Sequence, residues 1–131
     1  MSITKIFTVL LFSKDMDFLT DLKSSISKEV KTVLAAQTMS LATHLLHENK
    51  DATEFVVIDL GDGDVGTAKA AFLYLAVVRN VSTRISIILM SIKDETGTAE
   101  LCQQHLGLDL KTLRVKVFPR DPDKIAEHIT A

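Results

Sequence analysis

"EFVVIDLGDGDVGTAKA", residues 54–70, joins an apolar run to a turn rich in glycine and aspartate, and then to a helical pattern. Three chemistries fit the turn when it is read alone. Gly61, Gly63 and Gly66 spell the G-x-G-x-x-G of a dinucleotide-binding turn. Asp59, Asp62 and Asp64 resemble the oxygen ligands of a metal loop. Asp59 by itself, closing the run 55–58, is placed to accept a phosphoryl group. The surroundings decide among them.

The glycine fingerprint belongs to the first strand–helix turn of a dinucleotide fold, followed ~20 residues later by an acid for the ribose. Here the turn is the third, "NVSTRISIIL" (80–89) contains no acid, and Asp62 and Asp64 would repel a pyrophosphate. A helix–loop–helix calcium site needs a glutamate at its twelfth position. Counting from Asp62, that place holds Leu73, and a strand precedes the loop. The phosphoryl reading is the one that the rest of the chain can support.

Moving outward, short apolar runs alternate with helical spacing. Strands are expected at 5–12, 31–36, 54–60, 84–90 and 113–118, and helices at 17–29, 39–50, 66–80, 97–106 and 121–130. Apolar runs without polar alternation describe strands covered on both faces, as in a parallel sheet. Thr38 or Ser40 caps the second helix, Asp121 with Pro122 opens the last, and Gly107 ends the fourth. Phe18, Leu19, Leu22 and Ile26 form one stripe of the first helix, and Leu41, Leu45 and Leu46 the buried stripe of the second. Strict alternation implies an α/β fold: a doubly wound, five-stranded parallel sheet with five helices, as one domain over 1–131. Function then belongs at the carboxyl ends of the strands, at 13–15, 37–38, 59 onward, 91–93 and 118–120.

Composition narrows the class. The chain has 131 residues, 47% of them hydrophobic, enough for one domain with a proper core. A net charge of −2 offers no basic surplus for nucleic acid or an anionic membrane. No stretch reaches the ~18 apolar residues of a membrane span, and the start "MSITKIFTVLLFSKD" reads as a first core strand. Cys102 is the only cysteine, which excludes an internal disulfide and suits a reducing cytoplasm. With Leu101 and Leu106 beside it, it reads as a small buried thiol.

The order of these segments resembles the receiver domain of two-component response regulators, through "FTVLLFSKDMDFLTDL", "FVVIDL", "ISIILMS" and "VFPRDPDKIAEHI". The resemblance implies strand order 2-1-3-4-5 and a pocket of five groups. Asp59 matches the phosphoacceptor and Ser91 the hydroxyl that bonds the phosphoryl group. Ser13 and Lys14 stand where two acids would hold Mg²⁺, Phe118 where a lysine would pair with phosphoryl oxygens, and Val115 at the aromatic switch position. Pro119 follows Phe118 as in the family, which implies a cis Phe118–Pro119 bond.

Phosphoryl transfer depends on positioning and on cations that offset charge, so loss of these groups implies a degenerate, phosphorylation-deficient receiver without a cofactor. Mg²⁺ enters only under the alternative, a phosphoacceptor at Asp59, for which a one-residue bulge would bring Asp15 into the pocket. Lys14 has two readings: a solvated loop lysine, or an ammonium beside Asp59, where at ~4 Å and a dielectric near 20 the attraction is about 4 kcal/mol before desolvation. Partner contacts, or self-association, are expected on 97–106, 113–118 and 121–130, the face such domains use. His44, His47 and Glu48 lack a third metal ligand and read as solvated surface. No G-x-S-x-G elbow supports a hydrolytic triad. A flavodoxin-like binder is disfavoured by the acidic loop at 62–64.

Overall fold

A computed structural model describes residues 5–62 and 64–131. The strands are β1 (Lys5–Phe12), β2 (Val30–Ala36), β3 (Thr53–Asp59), β4 (Ser86–Met90) and β5 (Val115–Phe118). The helices are α1 (Met16–Ser27), α2 (Met39–Asn49), α3 (Val65–Val81), α4 (Glu95–Leu106), α5 (Leu110–Leu113) and α6 (Pro122–Thr130). All strand pairs are parallel, in the order β2-β1-β3-β4-β5.

Strand periodicity divides the core into two layers. Leu10, Phe12, Val56 and Ile58 point to the face covered by α2, α3 and α4. Their neighbours Val9, Leu11 and Val57 point to the other, against Leu19, Leu22 and Ile26 of α1 and Ile125 and Ile129 of α6. Burial on both faces is why these strands show no polar alternation.

Helix starts follow the side-chain chemistry. Thr38 accepts from the Leu41 N–H, Asp64 from Thr67, Asp94 from Gly97, and Asp121 from Asp123 and Lys124 ahead of Pro122. Gly107 ends α4 in the left-handed region at φ 67°. The sequence expectation differs at two places. Residue 113 belongs to a one-turn helix, α5, rather than to a strand: Asp109 caps it, Leu110 is buried under it, and Arg114 ends it at φ 56°. In α2 the buried residues are Ala42 and Leu46, while Leu41, one turn from the start, is exposed.

Cys102 is fully buried, and that burial, with Asp109 second, pushes its thiol from an ordinary 9.0 up to about 11. The folded chain therefore keeps the proton that the unfolded chain releases. Its contribution to stability is complete below pH ~9 and is lost as pH rises towards ~11. Urea midpoints of the native protein should fall more steeply than those of Cys102→Ala across that window. Native Cys102 should resist an aromatic disulfide reagent that labels it at once in denaturant; rapid native labelling would refute its burial.

Candidate functional site at the carboxyl end of the sheet

Asp59 is the last residue of β3, and its side chain is 1% exposed. A carboxylate removed from water this far needs its lone pairs satisfied. Four donors do so. The Ser13 hydroxyl donates to Oδ2 at 2.7 Å, and the Gly61 N–H donates to Oδ1 at 2.9 Å. Arg120 grips both oxygens, Nε to Oδ1 at 2.8 Å and Nη2 to Oδ2 at 3.0 Å. This is the bidentate fork that a guanidinium makes and an ammonium cannot.

Three elements bring these donors together. Ser13 leaves β1 with its N–H on the Ala36 carbonyl at 3.1 Å, which fixes its hydroxyl towards β3. Gly61 turns the chain after β3 at φ 66°, a conformation glycine adopts cheaply, and a Cβ there would meet Thr67 Cγ2 at 3.1 Å. Arg120 follows Pro119 in a tight turn closed by the Asp121 N–H on the Pro119 carbonyl at 2.8 Å. Its guanidinium lies 4.2 Å above the Phe18 ring of α1, and Nη2 stands 3.5 Å from Asp15 Oδ2. The hydrogen bond to Asp59 raises the Arg120 pKa above its usual value, against the opposing effect of burial. Arg120 is a resident cation.

Several sequence expectations meet this geometry. Lys14 borders the pocket, but among the described residues Arg120 alone forms an ion pair with Asp59. Of the two readings of Lys14, the ammonium paired with Asp59 is corrected: the fork of Arg120 takes both oxygens. Asp15 does reach the pocket, though not by a bulge, since β1 and β2 stay in unbroken register from Val9–Val33 to Phe12–Ala36. It reaches it as the cap of α1, with Oδ1 accepting from the Phe18 N–H at 3.1 Å.

The Phe118–Pro119 bond is trans, which corrects the cis expectation. Trans is the ordinary X-Pro state, and the turn at 119–121 reverses the chain without the rarer isomer. Ser91 is buried, and its oxygen accepts from the Lys93 N–H at 3.1 Å and from the Thr98 hydroxyl of α4 at 2.9 Å. Phe118 packs its ring 4.8 Å from His128, on the α6 side, and Val115 borders a groove beside α4. Gly63, invoked by the dinucleotide reading, lies outside the described residues. Asp62 and Asp64 serve the turn itself, accepting from the N–H groups of Asp64 and of Thr67. His44 pairs with Glu48 at 3.1 Å on an exposed helix face.

The resemblance to receiver domains implies Mg²⁺ here, and the residues present do not fit it. The acceptor sites of Asp59 are filled by protein donors, one of them a cation, and of the two further carboxylates bordering the pocket Asp15 caps α1 while Asp62 accepts from the Asp64 N–H. Mg²⁺ demands near-octahedral oxygen ligands and gives up its waters reluctantly.

No protein-family model matches the sequence, and no curated protein does either. Solved structures do. A response regulator receiver domain protein from Clostridium thermocellum shares 13% identity over 95% of this chain and 91% of its own, with a TM-score of 0.71. A CheY-like receiver domain protein from Methanospirillum hungatei gives 12%, 95%, 91% and 0.69 in the same order. A structure of the CheX-CheY-BeF3-Mg²⁺ complex from Borrelia burgdorferi gives 14%, 94%, 86% and 0.66. This chain has the CheY-like receiver fold.

Proposed function

We propose that the chain is a receiver-like signalling module of a two-component phosphorelay, phosphorylation-deficient, working in the cytoplasm through protein–protein contacts and without a cofactor. The observation that carries this reading is the Asp59–Arg120 fork. An attacking carboxylate needs a free oxygen, and both oxygens are bonded. Breaking a buried pair costs about 3 kcal/mol, taken at the low end because Arg120 is 22% exposed. That leaves roughly a hundredfold fewer molecules with Asp59 free.

Contacts are the remaining route for output. Between α4 and β5 runs a groove of about 590 Å³ whose apolar lining comes from Ala99, Leu110, Val115 and Val117, flanked by Glu95, Glu100 and Lys111. Through Ala99, Glu100, Val115 and Val117 it overlaps the face expected for partners or a second copy. Among the described residues no helix is long and apolar enough to cross a membrane.

One observation favours the alternative, a Mg²⁺-dependent phosphoacceptor: Asp15 and Asp59 border the same pocket. Incubation with acetyl phosphate and Mg²⁺, followed by intact-mass measurement, separates the two. The mass should stay unchanged for both the native chain and Asp59→Asn. A gain of one phosphoryl group in the native chain alone would establish the phosphoacceptor.

A further inference from the structure

At the opposite end of the sheet, where β3, β4 and β5 begin, lies a second cleft of about 340 Å³. Arg79, Arg84, Arg114, Lys116 and His128 line it, with the Phe55 ring on its apolar wall. Four cationic side chains around one small cleft is an unusual concentration in a chain of net charge −2.

Two of these cations are committed to the scaffold. Arg84 pairs with Glu54 at 3.1 Å and donates to the carbonyls of Lys50, Asp51 and Thr53. Arg79 donates to the carbonyls of Leu113, Ser82, Ile85 and Arg114, tying the end of α3 to the start of β4 and to the turn after α5. Neither is a spare donor, but both keep their charge at the cleft.

The other two are not committed. Among the described residues no carboxylate lies within ion-pair distance of Arg79, Arg114 or Lys116. Arg114 makes one side-chain hydrogen bond, from Nη2 to the Thr83 carbonyl, which leaves Nε and Nη1 unused. It does so from φ 56°, where a non-glycine residue is uncommon. Arg79, Arg114 and Lys116, gathered with no carboxylate in ion-pair distance among the described residues, are unfavourable to the fold; the charge of Arg114 lowers the pKa of Arg79, second to burial. An arrangement of this kind stores attraction for an anion.

We propose that this cleft binds a small organic phosphate, held by Arg114 and Lys116 on a floor made by Phe55 and His128. The guanidinium suits phosphate oxygens in a planar fork, Lys116 adds a point charge, and the two rings, 6.3 Å apart, offer an apolar surface to the organic part. The compact volume and the acids outside it, Glu54 and Asp51, select a small ligand over an extended polyanion.

Amide NMR titrations of the full chain with ATP and with pyrophosphate, both without metal, test this. Saturable shifts should cluster at 79, 83–87, 114–116 and 128, with ATP binding tighter than pyrophosphate. Arg114→Gly removes the guanidinium while placing glycine where φ is positive, so the fold is kept. It should weaken ATP binding roughly tenfold or more, the scale of a lost charged hydrogen bond. Lys116→Gln, on an exposed strand position, should weaken it as well. Linear shifts spread over the surface, or unchanged affinity in both variants, would overturn the proposal. Equal affinity for ATP and pyrophosphate would remove the ring floor from it.

Discussion

Arg120→Ala should lower the unfolding free energy by about 3 kcal/mol, because it strands a carboxylate that is 1% exposed without its cation. For a chain of 131 residues that corresponds to a Tm about 10 °C lower. The cost is that of an orphaned charge rather than of a missing contact. Asp59→Asn with Arg120→Ala should therefore recover most of the loss, since a neutral amide still accepts from Ser13 or Gly61. Asp15→Asn should change stability by less than about 1 kcal/mol, as its side chain is 52% exposed and asparagine caps a helix as well as aspartate. Thermal melts of the four proteins form the test. If Arg120→Ala melts with the native chain, the fork is ornamental and Asp59 is accessible.

Tyr74→Ala should cost about 4 kcal/mol, the usual range for emptying an aromatic site in a core. Tyr74 is the single tyrosine of the chain, is fully buried, and meets the Phe12 ring edge-on at 5.1 Å. Its hydroxyl donates to the Ala42 carbonyl at 2.9 Å, fastening α3 to α2. Burial raises its pKa well above the usual value for tyrosine. Tyr74→Phe keeps the ring and loses the bond, so it should cost about 1 kcal/mol. Denaturation in urea separates the two terms. Equal losses in the two variants would mean that the hydroxyl, not the ring, holds these helices together.

The fold was legible because its signals are local and redundant. Val9, Leu11 and Val57 alternate with Leu10, Val56 and Ile58, and each set finds a helical layer. Asp121 with Pro122, and Gly107, mark helix ends by chemistry that holds in any context. What escaped notice was short or depended on packing. A single turn at 110–113 leaves no period to read, and the exposure of Leu41 follows from how α2 sits on the sheet.

The site was legible in position but not in content. Asp59, Ser13 and Asp15 do gather at the carboxyl end of the sheet. The decisive partner, Arg120, lies two residues beyond the place where the resemblance sets a lysine, and 61 residues from Asp59 in sequence. Phe118 occupies that place and carries no charge. A long side chain can return to a pocket from beyond the matching position, and the Pro119 turn and the Phe18 ring are what send this one back. The signal available in the sequence was a free arginine in the loop after the fifth strand.

The Asp59–Arg120 fork is the centre of this account, and beryllofluoride with Mg²⁺ probes it without chemistry. Amide spectra recorded before and after their addition should superimpose at Gly61, Ser91 and Arg120. Saturable shifts centred on those amides, absent in Asp59→Asn, would show that a phosphoryl mimic displaces Arg120, and would contradict the account.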